Sequence, residues 1–189
     1  LVNKPRGVLC ACHDDRDRPI ILDLLPPRWR TDLGLHPVGR LDFNSTGALL
    51  LTNDGDFTYR LTHPRFHIPK HYRVQVVGRP SPQVLSQWRK GVMLDNRRTL
   101  PATVKVCSHP SQNTTELEVT LIEGRNRQIR RTAELLGHPV RTLHREAIGS
   151  LSLWENSETR TSTLKLGEYR YLANWEISSL KEQIGIISS

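Results

Sequence analysis

The chain has 189 residues, enough for one domain or two small ones sharing a core, and more than the size at which disulfides or metals are needed as staples. Its 27 Lys and Arg against 19 Asp and Glu leave a formal charge of +8, a balance suited to a polyanionic partner such as nucleic acid. Hydrophobic residues at 37% exceed a disordered composition, and no apolar run approaches the roughly 20 residues of a membrane span, so a folded, soluble, basic protein is expected.

In chain order, Val8 to Cys12 is short and rich in small or β-branched residues, which predicts a strand. Ile20 to Leu25 carries helical spacing that stops before Pro26 and Pro27, and Gly47 to Thr52 reads as a buried strand. Asp54-Gly55-Asp56 supplies turn and cap chemistry for a short helix through Leu61, closed by His63-Pro64. Tyr72, Val74 and Val76 alternate with Arg73 and Gln75, the pattern of a half-buried strand. Ser81-Pro82 starts a helix with Val84, Leu85 and Trp88 on one side and Gly91 as its stop. Ala102 to Cys107 and Glu116 to Ile122 are two further strands joined through a polar stretch, His109 to Asn113. Asn126 is the expected cap of a helix running to Leu136, with Gly137 ending it. Val140 to Leu153 reads as an irregular strand, Gly167 to Leu172 as a last strand, and Asn174 as the cap of a final helix ending near Gly185.

Hairpin-like strand pairs outnumber regular βαβ spacing, so the expected class is α+β, a mixed, mainly antiparallel sheet flanked by helices. Neither GxxxxGK[ST] nor GxGxxG is present, which argues against a nucleotide cofactor. Cys10, Cys12 and Cys107 make no even disulfide framework, and a Cys-x-Cys pair is weak grounds for a metal, so all three are read as reduced cytoplasmic residues. The histidines, among them His36, His63 and His138, lack ligand spacing and are assigned structural roles; no metal is expected. No secretory signal is visible in LVNKPRGVLCAC.

Three segments could carry chemistry. His36 to Gly55, HPVGRLDFNSTGALLLTNDG, places Asp42 on a loop between two strands, a usual position for a catalytic carboxylate and equally for a turn Asp bonded to its own backbone. Arg40 and Asp42 could also form a surface ion pair. Glu123 to Val140, EGRNRQIRRTAELLGHPV, anchors a helix through Ile129, Ala133 and Leu136 and crowds Arg125, Arg127, Arg130 and Arg131 around its start. Each such cation is unfavourable by roughly 0.3 to 1 kcal/mol in the helix dipole, so either an anionic partner compensates or the helix shows a solvated face with Arg130 and Glu134 paired. Lys70-His71-Tyr72-Arg73 surrounds an aromatic ring with cations; the ring could pack in a core or stack on a base. Lys4, Arg6 and Arg16 to Arg18 add charge able to meet phosphates without selecting sequence. A glycosidase-like carboxylate pair is suggested only by Asp54 and Asp56, which turn and cap chemistry explains as well.

Taken together, NKPRG near the start, GRLD at Gly39 to Asp42, KHYRV at Lys70 to Val74, and EGRNRQIRR followed by LHREAIGSL resemble the bacterial ribosomal pseudouridine synthases of the RsuA, RluB, RluE and RluF type. The resemblance covers nearly the whole chain. It implies the pseudouridine synthase catalytic fold and the site-specific isomerisation of a uridine in ribosomal RNA, in which the base leaves its stack and is rejoined to the ribose through carbon 5. Asp42 would be the essential nucleophile or base, Tyr72 would line the uracil pocket, and Arg130 would pair with Asp42. Leu143 would form the apolar wall on the other face of the base, and Arg40 would enter the RNA stem. The chemistry gains and loses no atoms, so no cofactor or metal is called for, and a cytoplasmic monomer acting on ribosomal RNA is expected. Residues 1–189 would then be one catalytic domain. Relatives of this type carry a small αL-type RNA-binding domain ahead of NKPRG, which this sequence lacks, so truncation is expected.

Overall fold

Pleat alternation and capping chemistry set most element boundaries in the computed structural model, which describes residues 1–154 and 164–186. In chain order the elements are β1 (Val2–Lys4), α1 (Pro27–Thr31), β2 (His36–Pro37), β3 (Thr46–Leu49), β4 (Leu51–Thr52), α2 (Gly55–Thr62), β5 (Lys70–Val77), α3 (Pro82–Lys90), β6 (Met93–Leu94), β7 (Arg97–Arg98), β8 (Thr103–Ser111), β9 (Thr114–Leu121), α4 (Gln128–Leu135), β10 (Val140–Ile148), β11 (Leu151–Ser152) and α5 (Asn174–Gln183). The chain divides into two compact units, Leu1–Ile68 with Arg145–Ser189, and Pro69–His144.

In the first unit, β1 pairs antiparallel with β3, Val2 opposite Leu49 and Lys4 opposite Gly47. Successive residues face opposite sides of a strand. Leu1 and Ala48 accordingly join one buried cluster with Phe57, Leu61, Ile148 and Leu180, while Val2 and Leu49 join another with Val8, Ile21, Leu22 and Leu25. Gly47 lies against the backbone of Arg145: a Cβ there would sit 2.2 Å from the Arg145 carbonyl oxygen, so only glycine fits, at a φ of +115°. Arg145 Nε donates to the Ala48 carbonyl at 2.8 Å. Downstream, β10 turns through Gly149-Ser150 into β11, Ile148 opposite Leu151.

In the second unit, β5 and β9 pair antiparallel over eight residues, from Lys70 opposite Leu121 to Val77 opposite Thr114. β8 pairs with β9 through irregularities between Val106 and Ser108 and between Ser108 and Ser111. Val74, Val76, Leu117 and Val119 are buried with Leu85 and Trp88 of α3 and Ile129 and Ala133 of α4. Burial of each Val, Leu or Ile among them stabilises the unit by about 1.5 to 3 kcal/mol. The alternate positions carry charge, Arg73 lying 3.2 Å from Glu116 and 3.3 Å from Glu118.

The α+β class with helices on a mixed, mostly antiparallel sheet is as the sequence predicts. Several elements differ. Val8 to Cys12 holds one bridge, Leu9 to Ile20, in place of a strand; the edge strand lies earlier, at Val2–Lys4, whose polar Asn3 and Lys4 hide it from a pattern search. Gly167 to Leu172 likewise reduces to a bridge from Tyr169 to Val2. Gly47 to Thr52 is split at Leu50, its second part pairing with β2. Helix α4 starts from Arg127 in the left-handed region, φ +49°, with no side-chain cap, so Asn126 is not its cap. Asn174 is the first residue of α5, not its cap; the Glu176 carboxylate accepts the Ala173 N–H at 2.8 Å. Asp54 and Ser81 cap as expected, accepting from the N–H groups of Phe57 (2.9 Å) and Val84 (3.3 Å).

Candidate active site

The loop bearing Asp42 is built around a buried cation. Lys4 is fully buried, and its Nζ donates to the carbonyls of Pro5 (2.9 Å), Asp42 (3.3 Å), Phe43 (3.5 Å) and Ser45 (2.9 Å). Four carbonyl dipoles offset much of the cost of removing an ammonium from water. Burial still pushes the Lys4 pKa down, with Arg145 adding to that and Cys10 and Asp42 opposing it. On the loop's other flank, Cys10 Sγ accepts the Leu41 N–H at 3.2 Å and donates to the Leu41 carbonyl at 3.4 Å, and burial raises its thiol pKa. The Gly7 N–H reaches the Phe43 carbonyl and the Ser45 N–H the Asp42 carbonyl, both at 2.9 Å. Asp42, half-buried, thus sits on backbone fixed at residues 41, 42, 43 and 45.

Sequence reasoning missed this arrangement. Lys4 was expected to meet phosphates, but it is turned into the protein, and Arg18 is held by Asp14 at 2.5 Å. The signal available was a lysine before a proline in a β-edge segment ahead of the GRLD loop, which nothing in charge counting separates from a surface lysine. Arg40 is exposed on the same loop as Asp42. A cavity of about 390 Å³ in this unit, walled by Leu1, Trp29, Leu35, Phe57, Tyr169 and Tyr171 among others, includes neither Arg40 nor Asp42 in its lining. Asp54 and Asp56 serve as a cap and as the partner of Arg60 at 2.8 Å, which leaves them no role as a catalytic pair.

The other three predicted residues belong to the second unit. Tyr72, on β5, and Leu143, on β10, pack on the same cluster as Ile129 of α4, so these elements share one core. Arg130 is half-buried on α4 beside Ile129. At the arginine-rich helix start, Arg131 and Arg125 meet carboxylates of the same unit. Arg131 grips Asp95 with both nitrogens, at 2.8 and 2.5 Å, and Arg125 Nε reaches Glu123 at 3.2 Å. Glu123 is buried and also accepts from the Leu100 N–H (2.8 Å) and Gln128 Nε2 (2.7 Å). Arg131 holds the Asp95 carboxyl below the usual carboxylate range.

Charge is divided unequally. Residues 69–144 hold 13 Lys and Arg against 5 Asp and Glu, whereas the remainder holds 14 of each, so the whole net charge of +8 belongs to the second unit.

A family model described as RNA pseudouridylate synthase matches residues 1–135. The chain belongs to that family. It is 37% identical over 185 residues to the ribosomal large subunit pseudouridine synthase B of Bacillus subtilis (strain 168), covering 96% of this chain and 70% of that one. It is 39% identical over 184 residues to the ribosomal small subunit pseudouridine synthase A of Salmonella typhimurium, covering 95% of this chain and 72% of the relative. Among solved structures, a pseudouridylate synthase superposes with a TM-score of 0.80 at 31% identity, covering 95% of this chain and 71% of that one. The protein is accordingly an RNA pseudouridine synthase, an isomerase of uridine, in agreement with the resemblance carried by its motifs. No helix among the described residues is long and apolar enough to cross a membrane.

Proposed function

We propose that this synthase isomerises a specific uridine of ribosomal RNA, with Asp42 as its catalytic carboxylate, acting on a base turned out of its stack. Support for the substrate comes from its relatives, whose names specify ribosomal subunits. Support for Asp42 comes from the loop, where a buried ammonium and a thiol hold the backbone at residues 41, 42, 43 and 45 and leave the carboxylate as the one acidic side chain of the GRLD segment. A group that must meet a sugar or base carbon at a set angle benefits from such fixing. In the reaction the bond from ribose carbon 1′ to uracil nitrogen 1 breaks, the base turns, and carbon 1′ joins carbon 5. The proton of carbon 5 is released and nitrogen 1 gains one, so atoms balance without an external reactant.

In this reading Arg130 is the cationic partner of Asp42, favouring its ionised form. Tyr72 and Leu143 supply the aromatic and aliphatic walls for uracil, and Arg40 enters the RNA where the base has left. The enzyme acts as a cytoplasmic monomer, and residues 1–189 form its catalytic domain. The test is to incubate the protein with unmodified small- and large-subunit ribosomal RNA transcripts and map pseudouridine. The wild type is expected to modify one position in one of them, and Asp42→Asn to be silent while still binding RNA. Full activity in Asp42→Asn would remove the assignment of the carboxylate, and product on neither transcript would remove the substrate.

A further inference from the structure

The β6–β7 hairpin of the second unit is anchored in an unusual way for so short an element. Met93 pairs with Arg98 and Leu94 with Arg97, and the two turn residues, Asp95 and Asn96, both adopt positive φ, +52° and +58°. That is the backbone of a type I′ turn, which suits the twist of a two-residue hairpin and tolerates Asp and Asn. A two-stranded ribbon of this size is not stable alone. Here Arg131 of α4 grips the Asp95 carboxylate, and Arg125 donates to the carbonyls of Arg97 (2.9 Å) and Arg98 (2.6 Å). Arg98 Nη1 in turn donates to the Gly91 carbonyl at 3.1 Å. Two of the four arginines that made the start of α4 look like an anion site are therefore spent on holding this hairpin.

What the hairpin presents is charge. Arg97 and Arg98 are exposed, and among the described residues neither is paired with a carboxylate. They lie in the unit that carries the whole net charge of the protein.

The geometry points to the β6–β7 hairpin as an RNA-backbone contact, in which Arg97 and Arg98 bind phosphates and the Asp95–Arg131 and Arg125 clamps fix those two cations relative to α4, the helix that carries Arg130. This rests on the reading of the protein as an enzyme of ribosomal RNA and adds to it the surface that grips the strand. Arginine suits phosphate through its planar fork, and a rigid ledge loses less entropy on binding than a free loop.

The experiment compares wild type, Arg97→Ala with Arg98→Ala, and Arg28→Ala, an exposed single-cation loss in the neutral unit, on the same unmodified ribosomal RNA transcripts, measuring RNA affinity against salt together with kcat and KM. The double variant is expected to weaken binding about tenfold at 0.1 M salt and to lower the slope of log affinity against log salt by about 1.5, the release expected for two phosphate contacts. The loss should fall on KM, and Arg28→Ala should leave the slope unchanged. Asp95→Ala, which frees the turn but keeps both arginines, is expected to raise KM by roughly threefold; an unchanged KM there would overturn the clamp. An unchanged salt slope in the double variant, with wild type forming pseudouridine, would overturn the hairpin contact alone. If wild type forms no pseudouridine on either transcript, the ribosomal substrate fails, and the salt slope on the same RNA still decides the hairpin.

Discussion

The two units of this synthase solve different problems with the same residue types. In the neutral unit, two cations are turned inward and used as fasteners: Lys4 ties the Pro5 carbonyl and three carbonyls of the Asp42 loop, and Arg145 binds the Ala48 carbonyl. In the basic unit, Arg125 and Arg131 also fasten, but what they fasten is a hairpin bearing two more arginines in solvent. The difference teaches that counting positive residues does not locate an anion-binding face. For the proposed RNA contact, what counts is which guanidinium groups keep an exposed face, as Arg97 and Arg98 do, the latter while one of its nitrogens serves the Gly91 carbonyl.

The sharpest division of roles comes from Asp42→Asn, expected to lower kcat by about 10³-fold or more with RNA affinity within twofold, measured by single-turnover product formation beside a binding titration. Parallel loss of both would remove the proposed separation between the role of the Asp42 carboxylate and the binding of RNA. Next in size is Gly47→Ala. A Cβ at 2.2 Å from the backbone of Arg145, at a φ that alanine avoids, should cost about 4 kcal/mol or prevent folding, read by denaturant unfolding. Lys4→Met should cost about 3 kcal/mol, because four carbonyls lose their donor, whereas Arg97→Ala on the basic hairpin should stay within about 0.5 kcal/mol. Similar losses at both sites would break the distinction between fastener and ledge.

The smallest effect concerns Glu176, buried in the neutral unit and bonded twice by Arg170 at 2.7 Å. That hydrogen bond, first among its causes, lowers the Glu176 pKa. A lowered folded-state value means the stabilisation is present above the ordinary glutamate range and is lost as pH falls through the folded value. The melting temperature of wild type should therefore exceed that of Glu176→Gln at pH 7 and converge with it as the pH is taken well below the ordinary glutamate range. A gap that stays constant with pH would assign the difference to packing.

Much of the basic unit was legible from residues alone, because its strands and helices obey simple periods. Tyr72, Val74 and Val76 alternate, Leu85 and Trp88 recur at helical spacing, and Ser81, Gly91 and Gly137 sit where caps belong. The neutral unit was harder to read. Its edge strand is three residues long and contains Lys4, whose burial depends on carbonyls some forty positions away. Arg127 in a left-handed conformation at the start of α4 defeated the Asn126 cap for a related reason, since the turn is held by the buried Glu123 and by Gln128 accepting the Arg125 N–H at 3.2 Å. Long-range polar partners leave no periodic trace. Motif order, by contrast, did announce the family.

The bare Cα of Gly47 has a bearing on how this enzyme could be altered. Sliding β3 by one position in either direction would drive the side chain of Thr46 or Ala48 into the backbone of Arg145, so the strand has a single seating. Five positions upstream, the Asp42 carboxylate inherits that seating as a fixed length of chain. Insertions meant to change the Asp42 loop are therefore better absorbed before Gly39 than between Asp42 and Gly47, where Lys4 bonds the carbonyls of residues 42, 43 and 45.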